Sequence, residues 1–465
     1  MSPVFTRRVH LPVPAQAAFA WHERPGAFAR LSPPWQRVRV LQQQGGIRDG
    51  ATVTLDLGGP AGHWSLRHEG YVANERFMDR QLSGPFASWV HTHAFAPAPG
   101  GCEMIDEIRY KLPLAPFSAI AQGFVEAQLD ALFAWRHRVT RLDLERCSAL
   151  GGALRTIAVS GASGMIGQAL VAYLTTQGHT VKTLVRRAAR GPHEIAWDPA
   201  RGSLAPGALA GVNAVVHLAG AGIADAPWTA ARKRELVDSR VQSTALLARA
   251  IASGAGPRTF VSASAIGIYG DRGDETLDER SAPGSGFLSE LAQQWEAAAA
   301  PAAIAGVRVA HPRIGIVLWP QGGALPKLVT PTRFGAGGPL GDGRQWWSWV
   351  TLHELVDMIA FAIDAPGAAP LSGAFNAVAP QSVRQRDFAA ALGRVMSRPA
   401  FAPAPAFALR ALLGTEMADA VLLSGQRLSP RVLQEHGYVW RDGELEPALR
   451  ALLGHMAYAG SAVGA

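Results

Sequence analysis

The densest chemistry in the sequence lies in Thr156-Ile-Ala-Val-Ser-Gly161-Ala-Ser-Gly164-Met-Ile-Gly167-Gln-Ala-Leu170. A β-rich run is followed by three glycines spaced GxxGxxG and then by an apolar-periodic run through Ile166, Leu170 and Leu174 that stops at Gly178. Gly161 permits a tight turn, Gly164 lets the backbone approach a pyrophosphate, and Gly167 lets the helix lie close to the strand. The helix N-terminus adds free N–H groups and positive potential, so the segment reads as a dinucleotide-binding turn. The next strand-like run ends in Val185-Arg186-Arg187, with Arg186 standing 19 residues after Gly167. An NAD site places an acid near that position for the ribose 2′-OH, whereas arginine suits a 2′-phosphate. NADP is therefore expected in preference to NAD, the alternative being a solvated arginine pair in an arginine-rich chain.

A second pattern is Trp89-Val-His91-Thr-His93-Ala94. At the two-residue period of a strand both histidines share one face, an arrangement that can ligate a metal. The sequence supplies no third ligand nearby, and ordinary strand histidines are far commoner, so no metal is expected. Cys102 and Cys147 form no CxxC pair, which argues against a disulfide framework or a zinc ribbon and for a reducing compartment.

The elements that must carry these residues fall into three segments. From Val4 to about Leu144, strand-like runs (Val38 to Leu41, Ala51 to Leu57, Trp64 to Tyr71, Arg76 to Leu82, Trp89 to Phe95, Cys102 to Lys111) precede one amphipathic helix from about Phe117 to Leu144. Its apolar face is expected from Ile120, Phe124, Leu129, Leu132 and Phe133. Small residues from Ser148 to Ala153 read as a linker. Strand runs at Thr156 to Ser160, Thr180 to Arg186, Ala214 to Ala219, Thr259 to Ser262 and Arg308 to Ile314 then alternate with helices, the βαβ pattern of a parallel sheet. From about Phe401 a Pro/Ala-rich stretch leads into a small helical tail, including Leu422 to Gly437 and Glu444 to Leu453. The expected divisions are 1–148, a linker at 149–154, 155–400 and 401–465.

Length and composition are consistent with this: 465 residues, 48% apolar and 17% charged, belong to a globular chain of more than one domain. The net charge of +8 is not a basic stripe, since the lysines number only four (Lys111, Lys182, Lys233, Lys327) and the arginines are scattered. No nucleic-acid partner is expected. The first residues lack the apolar core of a signal peptide, and the uncharged stretch Leu204 to Ala224 is interrupted by Asn213 and His217, so neither export nor a membrane span is expected. The expected location is cytoplasmic.

Residues from about Arg155 to Leu453 resemble the atypical, sugar-nucleotide-epimerase-like branch of the extended short-chain dehydrogenase/reductase superfamily, the tail resembling that branch's small C-terminal domain of unknown function. The resemblance rests on SGASGMIG at Ser160 to Gly167, HLAGAGIAD at His217 to Asp225, the helix with Trp228 and Ser239-Arg240, SASAIGIYGD at Ser262 to Asp271, PRIGIVL at Pro312 to Leu318 and FGAGGPLGDGRQWWSWV at Phe334 to Val350. It implies cofactor contact by Gly161, Ser163, Gly164, Met165, Ile166, Gly167, Arg186, Leu218, Ala219 and Gly220. It also implies a small-molecule substrate and, as is common in the superfamily, a homodimer. The Gly335 to Gly343 loop with Arg344, Trp346 and Trp347 is similar to the region where epimerases grip substrate, and reads either as a mobile lid or as a packed turn. The chain departs from the superfamily in its proton-transfer pair: none of the six tyrosines has a lysine four residues on, and Phe287 and Leu291 stand where that pair belongs. Ser264 and Tyr269 are the candidate catalytic substitutes.

Phe5 to His10 and the stretch Pro14 to Trp35, PxxxxFAWHERPGAFARLSPPW, together with the strand meander and closing helix, resemble the START-like or polyketide-cyclase superfamily. That resemblance implies an α+β helix-grip domain holding an apolar ligand, with Phe19, Trp21, Phe28 and Trp35 as core or cavity residues. The whole is thus expected to be an α/β Rossmann-type parallel sheet with a small C-terminal helical tail, preceded by a START-like domain. Two functions follow from the sequence: an NADP-dependent oxidoreductase or epimerase with a non-standard active site, or a non-catalytic NADP(H)- and lipid-binding sensor or carrier.

Overall fold

The computed structural model describes residues 3–59, 62–113, 119–149, 153–254, 256–364 and 370–458. The chain divides into two compact units, Met1–Gly152 with Thr175–Gly178 and Arg450–Ala465, and Ala153–Leu174 with His179–Leu449. The expected linker at 149–154 lies partly outside the described residues.

In the first unit, β1 (Val4–Leu11), β2 (Arg39–Gln44), β3 (Thr52–Asp56), β4 (His63–Val72), β5 (Arg76–Ser83), β6 (Ser88–Ala98) and β7 (Gly101–Lys111) form one antiparallel sheet in the order β1-β7-β6-β5-β4-β3-β2. Alternation decides which side is buried: Trp89, His91, His93 and Phe95 of β6, and Cys102, Met104, Asp106, Ile108 and Tyr110 of β7, all face inward. Two short helices, α1 (Ala15–Glu23) and α2 (Ala27–Leu31), precede β2, and α3 (Ala119–Ala149) follows β7. Leu129 and Phe133 of α3 pack with Phe5, Trp89, Ile108 and Tyr110 of the sheet. This is the expected helix-grip arrangement. The apolar face of α3 differs from the reading of the sequence at Phe124, which is 69% exposed. Val125 takes that place, because positions four and eight residues before Phe133 return to the same face and 124 does not. Phe19 and Trp21 are core residues, whereas Phe28 is exposed.

One buried pair ties α2 to α3. The Arg30 guanidinium donates to both carboxylate oxygens of Asp143, Nε to Oδ2 at 2.9 Å and Nη2 to Oδ1 at 2.7 Å, with the side chains only 2% and 0% exposed.

In the second unit, β8 (Thr156–Ser160), α4 (Met165–Thr176), β9 (Thr180–Val185), β10 (Glu194–Asp198), β11 (Ser203–Leu204), β12 (Ala214–His217), α5 (Ala230–Ala252), β13 (Thr259–Ser262) and β14 (Ser264–Ala265) begin the Rossmann-type sheet. Strands Arg308–Ile314 and Gly373–Ala377 complete it. The order is β11-β10-β9-β8-β12-β13-(308–314), parallel except for β10–β11. Its central strands are buried on both faces, which is why they read as unbroken apolar runs. The chain leaves β8 toward β9 on one side and later returns to β12 on the other, so the switch point lies between β8 and β12. Among the strands that escaped the sequence reading are β10 and Gly373–Ala377, each of them short and interrupted by polar or glycine residues. Leu422 to Gly437 is also not one helix. It holds the short strand Arg427–Leu428, paired with Thr276–Leu277, and the helix Arg431–Glu435 after Pro430. Among the described residues no helix is long and apolar enough to cross a membrane.

Asp143→Ala would leave the Arg30 cation buried without its carboxylate, a change that costs about 3–5 kcal/mol. Urea unfolding followed by near-UV circular dichroism should register that loss. A midpoint equal to the unsubstituted chain's would mean the pair carries no weight.

Candidate functional site

The carboxyl ends of β8, β9 and β12 open onto a cleft of about 1660 Å³. Of the ten residues implied as cofactor contacts, Gly161, Ser163, Gly164, Arg186, Leu218, Ala219 and Gly220 line it. Met165, Ile166 and Gly167 form the first turn of α4 immediately behind. Gly161 has φ of 70°, and a Cβ there would stand 2.8 Å from the Leu218 carbonyl carbon. A Cβ on Gly167 would lie 2.1 Å from the Gly161 oxygen. Both positions therefore exclude any side chain, and the turn, α4 and the end of β12 are in direct backbone contact. The side chain of Met165 packs under Gly322, where a Cβ would come within 2.7 Å of its sulfur.

A residue that the sequence reading passed over fixes this geometry. His217, the last residue of β12, is fully buried between Ser160 and Ser243. Ser243 Oγ already donates to the Ser239 carbonyl at 2.6 Å, so it accepts from His217 Nε2 at 3.0 Å. His217 Nδ1 is then the acceptor for Ser160 Oγ at 2.6 Å, and Ser160 Oγ in turn accepts from the Leu218 N–H at 3.2 Å. This assigns a neutral imidazole. Burial, helped by the nearby Arg240 charge, pushes its pKa down to about 3. The next turn is held from α5: Ala221 N–H donates to Ser239 Oγ at 3.1 Å, and Arg240 Nη2 donates to the Ala221 carbonyl at 2.8 Å. The available signal was a histidine ending a strand otherwise made of apolar residues.

At the other wall, the two arginines ending β9 differ in employment. Arg187 grips Glu194 of β10 through both nitrogens, at 2.7 and 2.5 Å, and that hydrogen-bonded guanidinium holds the Glu194 carboxyl down at about 2. Arg186 is exposed, lines the cleft and has no hydrogen-bond or ion-pair partner among the described residues. Arg232, which pairs with Glu235 at 2.7 Å, also lines the cleft, together with Arg234 and Asp238.

Ser264 and Tyr269 are brought together, but neither lines this cleft. Ser264 Oγ donates to Glu296 Oε1 at 2.6 Å; Glu296 also receives Arg313 through Nε and Nη2 at 2.8 and 2.9 Å. Arg313 Nη1 donates to the Tyr269 hydroxyl at 2.8 Å, and that hydroxyl donates to Asn376 Oδ1 at 2.8 Å. Burial pushes the Tyr269 phenol up to about 12. Burial would likewise raise Glu296, yet the Arg313 guanidinium wins and holds it below the usual carboxylate range. Tyr269 is therefore linked to Glu296 only by way of Arg313, while Ser264 hydrogen-bonds Glu296 directly. Where the superfamily carries its tyrosine and lysine, Phe287 packs edge-on against Trp228 with ring centroids 5.0 Å apart, and Leu291 is buried.

The Gly335 to Gly343 loop is packed. Cβ atoms on Gly337, Gly338 and Gly343 would come within 2.3 Å of Thr332, 2.2 Å of Ala402 and 2.7 Å of Arg386. Trp346 donates Nε1 to Asp274 at 2.8 Å, and the Arg384 and Arg427 cations lie over its ring, 4.1 and 4.7 Å from the ring centre. Trp347 is buried against Phe388. Arg344 remains exposed.

Residues 157–377 match the NAD dependent epimerase/dehydratase family, residues 404–452 a domain of unknown function, and residues 11–138 the polyketide cyclase / dehydrase and lipid transport family. An epimerase family protein of Mycobacterium bovis is 41% identical over 293 residues, 63% of this chain and 96% of that protein. The crystal structure of a nucleoside-diphosphate sugar epimerase from Corynebacterium glutamicum is 33% identical, with a TM-score of 0.81 over 98% of this chain and 91% of that one. The human epimerase family protein solved with NADPH is 32% identical, with a TM-score of 0.58 over 65% of this chain and all of that one.

Because the native His217 binds no proton where an unfolded histidine would, between about pH 6.5 and its folded value, it makes stability fall as pH drops through that range. His217→Gln destabilises near pH 7 by removing the link between β8, β12 and α5, but lacks this pH dependence. The stability gap between the two proteins should narrow by about 2 kcal/mol from about pH 7 to about pH 5. Urea titrations at both pH values measure it, and a constant gap would contradict a neutral buried imidazole.

Proposed function

Since the chain belongs to the NAD dependent epimerase/dehydratase family, we propose that its second unit binds NADP(H) and acts as an oxidoreductase or epimerase on a small molecule. The observation that carries this reading is Arg186, without a partner among the described residues, beside a glycine turn whose backbone excludes side chains. The first turn of α4 and the Gly161–Gly167 backbone would take the pyrophosphate, and the Leu218–Gly220 turn would take the adenosine ribose. Arg186 would take the 2′-phosphate, a role open to it because Glu194 engages its neighbour Arg187. NADPH in the human relative is in keeping with that assignment.

When bound, the nicotinamide supplies hydride transfer at C4. On the protein side, Ser264 is proposed to donate or accept a proton at the substrate through its hydroxyl, with Glu296 as the group behind it. Tyr269 is proposed to hold Arg313, and so Glu296, in place. The first unit is proposed to bind an apolar ligand, in line with its match to a family of cyclases and lipid-transport proteins. The apolar packing of Phe287 and Leu291 favours a second reading, a sensor or carrier of NADP(H) with little turnover.

Arg186→Glu should raise the Kd for NADPH by about 10- to 100-fold, the value of a charge-assisted contact of roughly 1.5–3 kcal/mol, and leave NADH little changed. Nicotinamide fluorescence titration reads both, with Gly164→Val as the control that weakens both nucleotides. Equal loss for NADH and NADPH would remove the 2′-phosphate assignment, and binding of neither by the unsubstituted protein would remove the cofactor reading.

NADPH oxidation with a panel of carbonyl compounds then separates enzyme from sensor. Ser264→Ala is expected to lower kcat by about 100-fold or more if its hydroxyl moves the proton, with Tyr269→Phe affecting it less. Bound NADPH that no carbonyl compound oxidises would favour the sensor.

A further inference from the structure

The inward face of the first unit's sheet carries a polar cluster that the cofactor reading leaves unused. Asp79 of β5 stands directly opposite His91 of β6, and Asp106 of β7 directly opposite His93. All four are buried. Period two alone puts His91 and His93 on one face; the register of three strands adds both carboxylates.

The atoms are arranged in two shells. Asp79 Oδ2 accepts from Trp89 Nε1 at 3.2 Å, which turns Oδ1 toward the histidines. Oδ1 lies 3.4 Å from His91 Nδ1 and 3.6 Å from His93 Nε2. A tetrahedral ion with ligands at about 2.0–2.1 Å separates them by about 3.3 Å, so these spacings are close to the edges of a coordination tetrahedron. The far nitrogens of both rings meet one carboxylate oxygen: His91 Nε2 donates to Asp106 Oδ1 at 2.9 Å, and His93 Nδ1 stands 2.7 Å from the same atom. Asp106 Oδ2 accepts from His137 Nε2 at 2.6 Å, and His137 Nδ1 is 2.8 Å from the Tyr458 hydroxyl. A ligating histidine backed by a carboxylate, itself hydrogen-bonded, is the usual outer shell of a metal site.

Proton counting sharpens the point. With Asp106 taking the N–H of His91 Nε2, a neutral His91 turns its Nδ1 lone pair toward Asp79 Oδ1, and His93 Nε2 faces the same oxygen. The convergence of these three atoms in a buried space favours positive charge among them, either a proton or a metal ion. Protonating both rings would place two imidazolium ions with centroids 3.8 Å apart, and a proton on His91 alone links Asp79 to Asp106 but leaves His93 outside that link, whereas one divalent ion reaches all three atoms. The nearby Arg136 cation lies over the Phe133 ring on α3. The side chains of Asp79 and His93 keep 12% and 9% of their surface accessible, so a water-sized group reaches the cluster. That leaves room for a further, exchangeable oxygen ligand, as in sites with three protein ligands and an open position.

We propose that the N-terminal unit binds one divalent first-row transition-metal ion through Asp79, His91 and His93, with Asp106 and His137 orienting the two imidazoles. Two nitrogens and one carboxylate oxygen suit Zn²⁺ or Fe²⁺ over Mg²⁺ or Ca²⁺, which prefer all-oxygen shells. The ion would present a Lewis-acidic position to an oxygen-bearing ligand inside this domain.

The test uses the full-length protein, stripped with a chelator and titrated with Zn²⁺ and with Co²⁺ as a spectroscopic probe. One equivalent per chain is expected, with the visible absorption of nitrogen- and oxygen-ligated Co²⁺. Asp79→Asn combined with His93→Gln should abolish stoichiometric binding, and Asp106→Asn should weaken it by about 10- to 100-fold. X-ray absorption on the Zn²⁺-loaded unsubstituted protein needs no variant to fold, and should give two imidazoles with oxygen and no sulfur. Failure of the unsubstituted chain to bind either ion, a thiolate shell from Cys102 or Cys147, or equal binding by the folded double variant would overturn the proposal. The cluster would then be a protonated hydrogen-bond network.

Discussion

The geometry of the cleft depends on one buried, neutral imidazole. His217 joins Ser160 at the end of β8 to Ser243 on α5, and through Ser160 it also fixes the Leu218 N–H. Gly161 and Gly167 can approach backbone within van der Waals distance only while those ends are held together. A protonated ring would lose its acceptor at Nδ1 and bring a charge into a site already near Arg240. The lock is therefore strong because the ring is dry, and it is dry because α5 covers it.

Charge around the cleft is divided by the same logic of proximity. β9 ends in two arginines, but the β10 strand beside it presents Glu194 to only one of them. The paired Arg187 becomes part of the wall, and Arg186 is left facing solvent and the cleft. At the far end, Ser264, Glu296, Arg313, Tyr269 and Asn376 form a chain in which each polar atom has a partner. Such a network fixes side-chain positions, since loosening any one member leaves a buried group unsatisfied.

The first unit has a comparable polar interior, carried by its sheet. Five of its inward positions are Asp79, His91, His93, Asp106 and, from α3, His137. These residues occupy space that apolar side chains could fill at less desolvation cost. Their shared convergence on two carboxylates is the property that the packing of Phe5, Trp89, Ile108 and Phe133 around them preserves.

Local features were legible in the sequence. The glycine turn needs only its own backbone and the adjoining helix, so GxxGxxG between a strand and a helix announced it; parallel strands buried on both faces announced themselves as apolar runs. The same was true of the period-two face shared by His91 and His93 and of the long helix closing the first sheet. Features set by partners far along the chain were not legible. Arg186 and Arg187 are equivalent until Glu194 arrives on β10, Phe124 and Val125 are distinguishable only once the helix is rotated against the sheet, and Ser264 is connected to Glu296 across 32 residues. Asp79 and Asp106 lie on different strands from the histidines, and only the hydrogen-bonded register brings them opposite. Periodicity determines which face a residue takes; which residues meet on that face is decided by register and packing, and these exist only in the folded chain.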